Sequence, residues 1–167
     1  VITARTMIEQ EPNYTFVAAR LLCDNLRAEA LGFLGVAASA TQHDMSTLYA
    51  KALSAYVAKG VQLELLAPKL QEFDLVRLGQ ALLPERDLQF GYLGLQTLYD
   101  RYFIHSNNTR IELPQIFFMR VAMGLALLPA LRAAKVRLRF LPNFRHAAVK
   151  KMMRLSGWTI GYVAANQ

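Results

Sequence analysis

Few residues in this chain are equipped for chemistry, and they are scattered. Cys23 is the single cysteine, and His43, His105 and His146 are the three histidines among 167 residues. A nucleophilic thiol needs a lowered pKa and a partner base. Cys23 instead lies in an apolar helical pattern, and the negative charges of Asp24 and Asp100 oppose its ionisation, so it reads as a buried structural thiol. A lone cysteine also excludes an intrachain disulfide and a multi-cysteine metal site. The histidines fall in a loop, a turn and a basic tail, with no i, i+4 pair to grip a metal, and read as surface groups. Glu112, just ahead of Pro114, can interact with the free N–H groups of the next helix, worth about 0.5–1 kcal/mol. Arg86 and Asp87 can form a comparable local pair. No carboxylate couple at a defined spacing points to acid–base catalysis, and there is no P-loop, GxGxxG or GxSxG motif. No residue is assigned as catalytic, cofactor-binding or metal-ligating.

The charge is unevenly placed. Residues 1–130 carry 11 Lys/Arg and 12 Asp/Glu, whereas residues 131–167 carry 8 Lys/Arg and no acid, so the net charge of +7 comes from the last 37 residues. Within 132–154 the basic groups Arg132, Lys135, Arg137, Arg139, Arg145, Lys150, Lys151 and Arg154 interleave with Phe140 and Phe144, and Trp158 follows. Such a stretch could lie on nucleic acid or on an anionic membrane surface. This supplies the alternative reading, a small basic helical nucleic-acid-binding protein. A docking face for an acidic partner, or a change of reading frame near codon 128, would leave the same charge step.

The elements that must position these residues are mostly helical. With 54% hydrophobic residues the chain can build a core, and its length suits one domain. No apolar run reaches the roughly 18–20 residues that span a bilayer. No leader pattern opens the sequence, which makes the cytoplasm the default compartment. Val1 begins inside a helical pattern without a methionine, as a piece of a longer chain would. Periodicity predicts helices at about 13–31, 46–59, 90–101 and 114–128 sharing one core, with Phe16, Leu22, Leu48, Tyr92, Leu98, Phe117 and Val121 inside. Asn13 and Asp44 or Ser46 are candidate N-caps, Gly32 or Gly35 a candidate stop, and Asp74 the start of a short helix. Pro84 suits a first helical position, and Pro129 is placed to end or kink the last helix. Ser106-Asn107-Asn108 is turn chemistry between two short strands. In the tail, 134–141 and 158–163 suit strands and 144–155 a basic helix.

Two segments carry a family likeness. Residues 11–22 read EPNYTFVAARLL. Residues 86–103 read RDLQFGYLGLQTLYDRYF, and after the polar turn residues 111–126 read IELPQIFFMRVAMGLA. In that order and separation, Arg86, Asp87, Phe90, Tyr92, Leu98, Tyr102, Glu112, Pro114, Gln115, Met119, Arg120, Val121 and Ala122 resemble the N-terminal all-helical domain of the large (α) subunit of class I ribonucleotide reductases. The likeness covers about residues 8–128. It implies an exit helix over 1–35 following an ATP-cone that is missing, an all-alpha domain over 36–128, and a basic tail over 129–167 that the likeness does not reach. The fold expected is mainly α, a bundle-like domain of five to seven helices with a small β-hairpin near 102–111 and a tail of mixed α/β character.

The likeness also implies what the parent does. It would be a ribonucleoside-diphosphate reductase making deoxyribonucleotides for DNA synthesis by radical chemistry. ATP and dNTP effectors would regulate it, and a metal-containing β subunit would supply the radical. The partners implied are the parent's catalytic barrel, a second α chain in a homodimer and the β subunit. That active site needs a radical-forming cysteine and a redox pair of cysteines, which Cys23 alone cannot supply. A structural role without catalysis, and no cofactor in these residues, is therefore expected. ATP-sensing relatives place an aromatic residue and a lysine on the exit helix. Asp24 and Ala28 stand there in this chain, and an acid beside a triphosphate is unfavourable, so that site is not carried over.

Overall fold

The computed structural model describes residues 1–133, with side chains through residue 128. The chain divides into two compact units, Val1–Leu128 and Pro129–Gln167. The basic segment 134–167, its expected strand–helix–strand order, its proposed nucleic-acid contacts and His146 all lie outside the described residues. The described part is mainly α. Six α-helices run in the order α1 (Ile2–Thr6), α2 (Tyr14–Leu34), α3 (Met45–Gln62), α4 (Leu75–Gln80), α5 (Tyr92–Arg101) and α6 (Pro114–Ala133). Short 3-10 turns occupy Met7–Glu9, Pro68–Glu72 and Pro84–Gln89. Between α5 and α6 the strands β1 (His105–Ser106) and β2 (Thr109–Arg110) pair antiparallel, His105 opposite Arg110 and Ser106 opposite Thr109. Asn107 and Asn108 turn the hairpin at φ +48° and +67°. Asparagine tolerates the left-handed region better than other non-glycine residues, so the turn closes without glycine.

Helix α2 is central, packing against α1, α3, α5, β2 and the Pro84–Gln89 turn. Its buried face is Ala18, Ala19, Leu22, Cys23, Leu26, Arg27, Ala30 and Leu31, paired positions recurring every three to four residues as a one-sided helix requires. Gly35 then takes φ +69° and ends the helix, while the Val36 N–H reaches back to the Leu31 carbonyl at 3.0 Å. The second stripe is on α3: Met45, Tyr49, Ala52, Leu53, Tyr56, Val57 and Gly60 are all buried. Among the described residues, no helix is long and apolar enough to cross a membrane.

Several local expectations are corrected. Phe16 is not in the core but 42% exposed, alongside Val17 at 43% and Leu21 at 40%. Val17 and Leu21 lie on the side of α2 away from the buried stripe, and Phe16 lies in the helix's first turn. Leu22 and Tyr92 are buried as expected, while Leu48, Leu98, Phe117 and Val121 are half-buried. Asn13 stands at the start of α2 without capping it, because its amide donates to the Glu11 carboxylate at 2.8 Å. Asp44 likewise gives α3 no cap bond. It accepts from the Thr41 N–H at 2.8 Å and hydroxyl at 2.7 Å, which hold its carboxyl below the usual range. Asp74 is a true cap, accepting from the Arg77 N–H at 3.0 Å. Pro84 opens a 3-10 turn rather than an α-helix, and α6 continues through Pro129 to Ala133.

Gly79 sets the approach of α4 to α3. A Cβ built there would lie 2.6 Å from the Ala50 Cα, a backbone atom that cannot step aside, whereas a Cβ at Gly94 meets nothing within 4 Å. Gly79→Ala is therefore expected to lower stability by about 1–3 kcal/mol through overpacking. Gly94→Ala, in the α5 interior, should raise it by about 0.5–1 kcal/mol. Urea midpoints of the two variants against the parent chain check both signs, and a neutral Gly79→Ala would show that the helices are not in contact there.

Candidate functional site

The polar groups gather into three ties, each joining distant parts of the chain. Glu112 is the most enclosed, with 0% exposure. It sits between β2 and α6 and accepts four hydrogen bonds. The Tyr56 hydroxyl of α3 donates at 2.5 Å, the Ile104 N–H at 2.7 Å, and Arg120 of α6 through Nε at 2.5 Å and Nη2 at 3.2 Å. A buried carboxylate is tolerable when a cation and further donors satisfy it, and here every lone-pair direction is taken. Burial, together with the charge of and bond to Glu112, pushes the Tyr56 hydroxyl pKa well up, so it remains a donor. Burial would lower the Arg120 pKa, but the bond to Glu112 and its charge more than offset this and hold it raised.

Asp87, in the Pro84–Gln89 turn, forms the second tie. Its carboxylate accepts from the Tyr49 hydroxyl of α3 at 2.5 Å and from the Gln115 amide of α6 at 3.1 Å. Both donors are neutral. Burial pushes the Asp87 carboxyl up to about 6 against the opposing pull of these two bonds and of Arg27. Tyr49 is itself fully enclosed, and burial, then the charge of Asp87 and the bond to it, raise its hydroxyl pKa. The third tie is Glu29 of α2, which accepts from the Tyr99 hydroxyl of α5 at 3.0 Å and from the Arg110 backbone N–H of β2. Arg110 in turn lies over the Tyr99 ring at 4.3 Å. At the other end of α5, the Thr15 hydroxyl accepts from the Tyr92 N–H at 3.0 Å.

The sequence-derived candidates separate cleanly. Cys23 is buried and free. Burial, then Asp87, push its thiol up to about 12, with Asp24 adding to them against Arg27, so it stays protonated at neutral pH. The acid that matters beside Asp24 is Asp87 rather than Asp100. His43 and His105 are exposed. Among the described residues, no three of His, Cys, Asp and Glu are grouped to hold a metal ion. Glu112 spends its oxygens on Tyr56, the Ile104 N–H and Arg120 rather than on the free N–H groups of α6's first turn. Asp87 spends its oxygens on Tyr49 and Gln115. A cleft of about 170 Å³ lies beside it, lined by Arg20, Cys23, Asp24, Arg27, Gln42, Asp87 and Leu88. Arg27, 4% exposed, bonds Gln42 at 2.7 Å and pairs with Asp24. Its Nε and the Gln115 Oε1 are buried side-chain atoms without a hydrogen-bond partner among the described residues.

Sequence reasoning missed Tyr49, Tyr56, Arg27 and Glu29. A signal for the tyrosines was available: they are seven residues apart on the apolar stripe of α3, and a buried hydroxyl needs a partner.

Comparison with known proteins supplies a likeness over part of the chain. Residues 88–149 match the family "Ribonucleotide reductase, all-alpha domain". The match takes in Glu112, Gln115 and Arg120 and runs beyond Leu128, where the sequence likeness was expected to end. Over these residues the chain is similar to the all-alpha domain of ribonucleotide reductase large subunits. It is 47% identical over 127 residues to the ribonucleoside-diphosphate reductase subunit alpha of Chlamydia trachomatis, covering 76% of this chain and 12% of the relative. The Helicobacter pylori subunit alpha is 40% identical over 116 residues, covering 69% of this chain and 13% of that protein. The large subunit of Danio rerio is 29% identical over 123 residues, at 74% and 15%. The chain thus spans about an eighth of the length of the bacterial relatives.

The energetic weight of the ties follows from their burial. Glu112→Gln leaves the half-buried Arg120 without its carboxylate and should cost up to about 3–5 kcal/mol, the range for breaking a buried pair. Tyr56→Phe should cost about 1–3 kcal/mol, the price of an unmade buried hydrogen bond. Tyr99→Phe, at a half-exposed position, should cost less than about 1 kcal/mol. Urea unfolding of the three variants gives the order. A Glu112→Gln midpoint no lower than that of Tyr99→Phe would show that the enclosed carboxylate is not holding α3 to α6.

Proposed function

We propose that this chain serves as the N-terminal helical domain of a ribonucleoside-diphosphate reductase α subunit, a scaffold that does no chemistry of its own. The observation carrying this reading is the fate of the 86–126 segment, whose two buried acids are consumed in satisfying donors of the same domain. Asp87 and Glu112 face tyrosines, an amide and an arginine of the same domain. The 167 residues hold one cysteine, deep in α2, whereas the family chemistry uses three. The identity to reductase α subunits across three quarters of the chain supports the same reading.

In the whole enzyme the domain would brace a catalytic barrel that reduces ribonucleoside diphosphates to deoxyribonucleotides for DNA replication. ATP and dNTP effectors would act through a preceding ATP-cone, a second α chain would complete the homodimer, and a metal-containing β subunit would deliver the radical. The cytoplasm is the compartment such an enzyme serves.

The test is a chimaera. The aligned stretch of the Chlamydia trachomatis subunit alpha is replaced by residues 1–128, and CDP reduction is assayed with that organism's β subunit. The chimaera is expected to turn over, and the 167-residue chain with the same β subunit is not. A chimaera that folds, binds β and leaves CDP unreduced would defeat the scaffold reading, as would turnover by the isolated chain.

A further inference from the structure

We propose that Asp87 is a proton-operated clasp: uptake of one proton by its carboxyl tightens the hold of the Pro84–Gln89 turn on α3 and α6. The two deeply buried acids of the domain are built differently. Glu112 meets Arg120 through two guanidinium nitrogens. Asp87, only 4% exposed, is met by two neutral donors, Tyr49 and Gln115. The cation that acts on it most is Arg27, whose Nη1 and Nη2 are already committed to Gln42 and Asp24. An enclosed carboxylate without its own cation is a group whose charged form costs free energy.

The surroundings also offer an acceptor to the protonated form. The Gln115 Nε2 lies 3.1 Å from Asp87 Oδ1, and the other amide atom of the same side chain, Oε1, is buried without a partner. Turning the amide exchanges the two and lets a protonated Asp87 donate to Oε1, while Tyr49 keeps its bond to Oδ2. The adjoining cleft, which Asp87 helps to line, gives the proton a route. The charged and titratable groups around Asp87 are Tyr49 from α3, Arg20, Cys23, Asp24 and Arg27 from α2, and its chain neighbours Glu85 and Arg86. From α6 the facing group is the uncharged Gln115.

The sign follows from linkage. The carboxyl titrates near 6 in the folded chain and at about 3.9 when unfolded, so the folded state binds more protons between those values. Stability therefore rises as pH falls through about 6 and levels off below about 4. Between pH 7.5 and 5.0 this one group should shift the unfolding constant about tenfold toward the folded state. Histidines and other groups titrate over the same range, so the measured quantity is the difference between the parent chain and Asp87→Asn, which is neutral throughout.

The full 167-residue chain is unfolded in urea at both pH values, with and without the substitution, and the Asp87 Cγ resonance is followed by carbon-13 NMR. The expected result is a tenfold pH effect absent from Asp87→Asn and a Cγ midpoint near 6. Equal pH dependence in the two proteins, or a Cγ midpoint below about 4.5, overturns the clasp. If Asp87→Asn fails to fold, the Cγ midpoint decides together with amide exchange at 84–92, corrected for intrinsic rate. Greater protection at pH 5.0 than at 7.5 supports the clasp, and equal or lesser protection refutes it.

Discussion

Glu112 is the constraint around which the domain is arranged. A carboxylate with no access to water must be met by donors from the protein, and these come from α3, from the chain entering the hairpin and from α6. Each donor fixes a different element. Tyr56 sets the rotation of α3, the Ile104 N–H sets the lead-in to β1, and Arg120 sets α6. The aromatic packing completes this side of the domain: Phe103 meets Phe117 edge-on at 5.6 Å, and Phe90 stacks on Phe118 at 6.3 Å. These ring contacts add little directionality by themselves, about 0.5–1.5 kcal/mol each beyond area. The hydrogen-bonded acid chooses among the packings the rings would allow.

Much of the architecture was legible in the residue pattern. The long helices, the Asn-Asn hairpin, the Gly35 stop and the Asp74 cap each follow from a local rule that the tertiary structure leaves intact. Where local and tertiary demands compete, the pattern misleads. Asn13 and Asp44 have cap-forming chemistry at cap positions, yet Glu11 and Thr41 offer closer partners. Phe16, Val17 and Leu21 are apolar at helical spacing, but Val17 and Leu21 lie opposite the buried stripe of Ala18, Ala19, Leu22, Leu26, Ala30 and Leu31, and Phe16 lies in the first turn.

The polar ties were the least legible part. Glu112 and Asp87 were visible as acids with structural roles, but their partners lie 28 to 56 residues away or beyond the next turn of helix. No spacing rule links Tyr56 to Glu112. Only the burial of a hydroxyl on a helix stripe hints that some acceptor must exist, and the identity of that acceptor belongs to the fold. The same holds for Arg27, whose charge in an apolar stripe is explained by Gln42 and Asp24 beside it.

The sequence distances of these bonds bear on how the domain comes into being. Glu29 waits for the Arg110 N–H, 81 residues further on, and Thr15 for Tyr92, 77 residues on. At the usual pace of synthesis, about 5–20 residues per second, that is a delay of roughly 4–16 s during which α2 has emerged but its acceptors have no partners. Local helices can form in microseconds, so the early chain is helical long before it is locked. The last strokes of assembly belong to the hairpin and α6, and a nascent chain stalled before residue 112 would hold the Tyr56 hydroxyl of α3 without its acceptor.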